Sequence, residues 1–312
     1  MNPSEFGGRF AFMDEFSFEL GVVLSPRYGL DSSEQAVTFR IATLGKEVSI
    51  TARPPGPLNH ANRISFLCHG FSSFEAAHAA GIALQRAVLV GAGASAIGVD
   101  TGVDQTHKSD KDRDTRPPGY RVIDERHGLS VWGGQLQPQS YLSNVHMSQL
   151  PRIDEFTNFV CEAFAANLVM SEQQCLALEL YGLSNFESSD RARFLILITC
   201  VEALCTREPR AGEQLKVISS LVQVIQKAVL SPSERESLLS VLGEARFESI
   251  GKACRRLVKG YLGENAKKRF QELYDLRSTI LHTGTCSSRV NIESAAFDLN
   301  YLLSSLFRKM FL

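Results

Sequence analysis

The sequence predicts an α+β domain at the N-terminus followed by an all-α helical bundle. Hydrophobic side chains recur at every second position through much of the first hundred residues, and at helical spacing almost without interruption from Ile153 to the C-terminal end. Between them a polar stretch of mixed charge closes on Pro117-Pro118-Gly119, which reads as a linker.

In the first region the alternation Phe16-Ser-Phe-Glu-Leu-Gly-Val-Val-Leu24 predicts a strand. Ala36 to Thr43 and Glu47 to Ala52, joined by Leu44-Gly45-Lys46, predict a hairpin, and Arg63 to Cys68 a further strand. From Ser73 the rhythm turns helical through Val90, and Ala94 to Asp100 reads as a returning strand. Residues 1–119 are therefore taken as an α+β module with the polar linker at its end. Residues 120–150 hold the single tryptophan, Trp132, and remain an unassigned connector.

Residues 151–312 form the expected bundle, with helices over 153–169, 172–183, 189–206, 213–229, 233–260, 264–282 and 291–311. Ser231-Pro232 and Ser189-Asp190 carry the chemistry of helix starts, and Gly284 lies where a helix would stop.

The totals narrow the function. A net charge of −1 leaves any nucleic-acid contact to a local patch. The seven cysteines are odd in number, contain no Cys-x-x-Cys pair and sit mostly in apolar patterns, so reduced thiols and a cytoplasmic protein are expected. No basic start precedes an apolar core at the N-terminus, and no run is long enough to span a bilayer.

Three signals then converge in the second half. Arg277-Ser-Thr-Ile-Leu-His282 ends a patterned segment and places a permanent cation and a titratable imidazole in the last turns of a helix, where the dipole favours positive charge. Spacing alone is weak, since Arg63 with His69 and Arg121 with His127 match it too. Glu202 interrupts a helix that is apolar on nearly every face, so it needs a cation, and Arg277 is the expected partner. Lys252, Arg255, Arg256, Lys259, Lys267, Lys268 and Arg269 face only Glu264 between residues 252 and 269, and so form a candidate RNA-binding patch. Tyr274 is expected to pack in the core, with ordering of the imidazole as its alternative role.

Together, Glu202 on its apolar helix, Ser249-Ile-Gly-Lys-Ala-Cys-Arg-Arg256 and Leu273-Tyr-Asp-Leu-Arg-Ser-Thr-Ile-Leu-His-Thr-Gly284 resemble the HEPN superfamily, in its Apea-like branch from prokaryotic defence proteins. The resemblance spans about residues 150–312. It implies a HEPN-like bundle that dimerises and holds a metal-independent endoribonuclease site, with Arg277 and His282 at the matching positions and no cofactor. Ser278 stands where the family usually has Asn, Asp or His.

The residue types suit that chemistry on their own terms. RNA carries its own nucleophile, the 2′-hydroxyl, so cleavage needs a base and acid of near-neutral pKa, which His282 supplies, and a cation for the charged phosphorane, which Arg277 supplies. Two alternatives are an inactive HEPN module that binds RNA or dimerises, and a nucleotide or small-molecule sensor in the N-terminal domain centred on residues 60–103. Gly91-Ala-Gly-Ala-Ser-Ala-Ile-Gly98 follows a predicted helix where a phosphate loop would open one. Cys68-His69-Gly-Phe-Ser72 lacks a nucleophile turn, and Asp100, Asp104 and His107 lack a second histidine at ligand spacing, so no metal site is expected.

Overall fold

The computed structural model describes residues 15–27, 29–102, 128–133, 153–284 and 291–312. It has an antiparallel sheet region followed by a helical region, and divides into two compact units: the described residues up to Val169 with Phe311–Leu312, and Met170–Met310.

The first unit is built on strands β1 (Phe16–Leu24), β2 (Ala36–Ile41), β3 (Lys46–Ala52), β4 (Arg63–Phe71), β5 (Val99–Asp100) and β6 (Gly128–Gly133). They run in the order β2-β3-β4-β1-β5, with β6 also paired to β1 and every pairing antiparallel. The two-residue period assigns the faces. Phe18, Leu20, Val22 and Leu24 of β1, Val48 and Ile50 of β3, and Ile64, Phe66 and Cys68 of β4 are buried on one side. Ser17, Glu19, Ser49, Thr51, Leu67 and His69 alternate onto the other.

Helix α1 (Phe74–Ala94) starts at Ser73, whose hydroxyl accepts the Ala76 N–H, and packs on β1, β4 and β6. Helix α2 (Ile153–Ala165) packs against α1. Here the division differs from the expected boundary near residue 150. The apolar stripe of α2, Ile153, Phe156, Val160 and Ala163, finds its cover in the first unit, where Phe156 meets Phe66 edge-on at 6.3 Å and Asp31 accepts the Ile153 N–H at 2.7 Å. Burying a side chain such as Phe156 contributes roughly 1.5–3 kcal/mol, and that burial decides which unit owns the helix.

Two other expectations shift. Trp132 and its neighbours, left unassigned, form β6, because Gly128-Leu-Ser-Val-Trp-Gly alternates and completes the free edge of β1 from Phe16 to Gly21. The returning strand over 94–100 shrinks to Val99–Asp100, since α1 runs on to Ala94.

The second unit holds α3 (Glu172–Ser184), α4 (Asp190–Ala203), α5 (Glu213–Lys227), α6 (Pro232–Ala245), α7 (Ile250–Thr283) and α8 (Ile292–Phe311). Capping boxes at Ser171 with Gln174 and at Ser231 with Glu234 start α3 and α6, and Ser189 caps α4. The core joins α3, α4, α7 and α8 through Tyr181, Phe194, Leu197, Phe270, Leu299, Leu303 and Phe307, with Tyr181 edge-on to Phe307 at 5.2 Å.

The single helix expected over 233–260 is two. The chain leaves α6 at Arg246, buries Glu248 and restarts at Ser249, whose hydroxyl accepts the Lys252 N–H. A second break lies inside α7 at Gly263, whose φ of 87° and ψ of −176° are open to glycine and strained for other residues.

Candidate functional site

The segment after Gly263 carries the sequence-predicted motif. It runs to Thr283 and stops at Gly284 in the left-handed region, φ 70°, with the Gly284 N–H bonded back to the Ile280 carbonyl at 2.9 Å. Phe270, Leu273 and Ile280 bury its inner face, which turns Tyr274 and Arg277 toward α4.

There they meet Glu202. The Tyr274 hydroxyl donates to Glu202 Oε1 at 2.8 Å, and Arg277 Nη2 lies 3.5 Å from the same oxygen. The guanidinium carbon of Arg277 sits 5.7 Å from the centre of the Tyr274 ring, within cation–π range. The expected Glu202–Arg277 pair is thus present, though longer than the 2.7–2.9 Å of a tight charge-assisted bond. Among the described residues it is the only ion pair of Arg277, whose side chain is 29% exposed, so most of its donors remain open to a ligand.

Tyr274 keeps Glu202 in place and has no contact with the imidazole. Burial pushes its phenol pKa well above the ordinary range, and the hydrogen bond to Glu202 and that carboxylate's charge push it further. It is therefore a stable neutral donor at physiological pH. Gly251 makes room for it, since a Cβ there would lie 2.8 Å from Tyr274 Cε1.

His282 stands elsewhere on the helix. Five residues at 100° each place it about 140° around the axis from Arg277. The histidine is exposed and has no side-chain hydrogen bond among the described residues. Within one chain, then, guanidinium and imidazole do not converge. Ser278, one turn before His282, shares its face and is half-buried.

The basic run is less bare than its window suggested. Glu248 takes Lys252 at 3.6 Å and Arg256 at 2.7 Å, and Arg256 also reaches Glu208 at 2.9 Å. Glu264 holds Lys259 at 3.0 Å and Lys267 at 2.7 Å, and these two lysines, Lys267 foremost, bring its carboxyl down to about 2. Arg269 pairs with Glu272 at 2.5 Å and with Asp298 of α8. Only Arg255 and Lys268 of the seven lack an ion pair among the described residues. The excess of charge found between 252 and 269 is largely cancelled by acids outside that window.

Two thiols beside the site were not anticipated. Cys205 donates to Cys254 with the sulfurs 3.2 Å apart, bringing the end of α4 against α7. That hydrogen bond, then burial and the nearby charges of Cys205 and Glu202, raise the Cys254 pKa strongly. The signal was available: Cys205 follows Glu202 by three residues and so lies on the same side of the chain.

The discounted motifs do not assemble a site. Gly91 and Gly93 lie inside the last turns of α1. Cys68 points into the core, where burial raises its pKa to about 11, while His69 turns to the opposite face and bonds Ser17 Oγ at 2.8 Å. Asp104, His107, Arg121 and His127 lie outside the described residues, as does Cys286. Among the described residues no three His, Cys, Asp or Glu side chains gather at metal-binding distance, and no helix is long and apolar enough to cross a membrane.

Comparison with known proteins finds no matching family model, no matching curated protein and no matching solved structure. Any functional reading stands on the residues themselves.

Proposed function

We propose that the protein is a metal-independent endoribonuclease of HEPN type, a prokaryotic defence or toxin effector acting in the cytoplasm as a homodimer. The observation that supports this best is the state of Arg277. It is oriented by Glu202 and Tyr274 on the inner side, is partly exposed, and keeps donors open on the outer side, one helical motif away from an exposed imidazole. Those are the properties of a phosphate clamp on a helix whose other face carries an acid-base group.

Since Arg277 and His282 diverge around one helix, a complete cleft draws on both copies of the motif across a two-fold axis. His282 takes the proton of the RNA 2′-hydroxyl, the oxygen attacks the adjacent phosphorus, and Arg277 neutralises the dianionic phosphorane. A proton returned to the departing 5′-oxygen leaves a 2′,3′-cyclic phosphate and a 5′-hydroxyl, with Ser278 beside the imidazole on its own face. Arg255 and Lys268 supply the unpaired positive charge for the rest of the strand.

A second reading, an RNA-binding and dimerising module without catalysis, draws on the same ion pair, because a carboxylate at 3.5 Å partly neutralises the clamp. Cleavage assays on His282→Ala and Arg277→Ala separate the two. Loss of cleavage with RNA binding retained in His282→Ala supports the nuclease; wild-type protein inert on every RNA offered supports the module.

A further inference from the structure

After α4 the chain runs out through α5 and α6 and comes back beside its own point of departure. Of the side chains on those two helices only Ile218 is buried, so the excursion itself has little hold on the core. Its base is tied instead. Arg207 Nε donates to the Glu248 carbonyl at 2.7 Å, and Arg256 Nη2 donates to the Thr206 carbonyl at 2.8 Å. Beside these ties Cys205 and Cys254, 49 positions apart in the chain, hold their sulfurs 3.2 Å from each other. A further approach of about 1 Å reaches the length of a disulfide, between backbones that are already held together. Nothing in the proposed cleavage uses either thiol.

From this geometry we infer that Cys205 and Cys254 are an oxidation site, where hydrogen peroxide joins the two sulfurs in an intrachain disulfide that closes the Arg277 clamp. Cys205 is 9% exposed and Cys254 fully buried, so an oxidant from solvent meets Cys205 first. The Cys205 sulfur attacks one peroxide oxygen, the O–O bond breaks, and the thiol proton leaves with the other oxygen as water; Cys205 is then a sulfenic acid. The Cys254 sulfur attacks that of Cys205, the S–O bond breaks, and the departing hydroxyl takes the Cys254 proton as a second water. The two sulfurs together lose the two electrons that the peroxide gains. Glu202 precedes Cys205 by three residues, and Gly251, which seats the Tyr274 ring, precedes Cys254 by three. Drawing the sulfurs together therefore presses both supports of Arg277 inward, shortens its 3.5 Å contact with Glu202 and leaves fewer donors for a phosphate.

The effect on Arg277 rests on the ribonuclease reading; the bond itself does not. The full chain is treated with hydrogen peroxide and its peptides are mapped by mass without reduction. A cross-linked pair containing Cys205 and Cys254, lighter by two hydrogens and released by dithiothreitol, is expected. Oxidised protein should melt at a higher temperature than reduced protein, because the bond constrains the unfolded chain. Cys254→Ala, with Cys205→Ser as a second variant should it not fold, removes that difference. RNA cleavage should fall several-fold on oxidation, return on reduction, and stay insensitive to peroxide in the variant. Absence of the Cys205–Cys254 peptide, or pairing of either with another cysteine in its place, overturns the site. A mapped disulfide with unchanged cleavage overturns the closing of the clamp. Reduced wild-type protein inert on every RNA overturns the ribonuclease reading and the clamp with it, while the peptide map and the melting shift still decide the bond.

Discussion

Helix α7 meets two carboxylates through two arginines, and the two pairs are built differently. Glu248 is 3% exposed and firmly held: its Oε1 accepts Arg256 at 2.7 and 3.1 Å and the Glu208 N–H at 3.3 Å, and Lys252 lies 3.6 Å from Oε2. Arg207 adds bonds to the Glu248 and Glu244 carbonyls at 2.7 and 3.0 Å, so the whole node ties the loop before α7 to the loop after α4. Glu202 has one phenol and one arginine at 3.5 Å, and that arginine retains unengaged donors. A buried charge held by several hydrogen bonds from two segments holds structure together; a single, longer pair on a partly exposed arginine leaves binding capacity for a ligand.

The contrast predicts opposite phenotypes. Arg277→Ala and His282→Ala are expected to lower RNA cleavage by about 10²- to 10⁴-fold, with unfolding free energy unchanged within about 1 kcal/mol, checked by product gels and denaturant titration. Glu248→Ala should do the reverse, costing about 1–3 kcal/mol of stability while the folded fraction keeps its cleavage rate. Equal activity losses at both positions would erase the distinction.

Acid sharpens it. Burial works against ionisation of Glu248, but the Arg256 hydrogen bond, the Glu208 N–H and the charges of Arg256 and Lys252 outweigh it and hold the carboxyl below its ordinary range. A lowered folded-state pKa contributes stability that is fully present above the unfolded value, about 4.3, and disappears as pH falls through the lower folded one. Melting curves from neutral pH down to about 3 should therefore show an acid-dependent loss below about 4.3 that Glu248→Gln diminishes.

Smaller effects belong to the supports. Gly251→Ala drives a methyl against Tyr274 and should displace the phenol from Glu202, lowering cleavage several-fold without removing any polar group. Tyr274→Phe removes one hydrogen bond and should cost about 1 kcal/mol or less in the same assay. Replacing Arg255 and Lys268 together should flatten the salt dependence of RNA binding by a slope of about 2, whereas Arg269→Ala, already paired to Glu272 and Asp298, should leave it unchanged.

Much of this architecture was legible in the chain. The bounds of β1 and the start of α1 followed from period and capping, and Glu202 was assigned to Arg277 because a lone carboxylate on an apolar helix demands a cation. What escaped were relations between distant segments. The cover of α2 by the first unit, the pairing of β6 with β1, and the neutralisation of basic side chains by Glu208, Glu248, Glu272 and Asp298 all depend on which surfaces meet, and local pattern is silent on that. The divergence of Arg277 and His282 was computable from helical geometry, yet spacing along the chain concealed it.

The most direct test is the chemistry of the cut ends under chelation. Wild-type protein in excess EDTA should cleave RNA at an undiminished rate and leave 2′,3′-cyclic phosphates opposite 5′-hydroxyls, and His282→Ala should leave none. Activity abolished by EDTA, or products ending in 3′-hydroxyl and 5′-phosphate, would contradict the account.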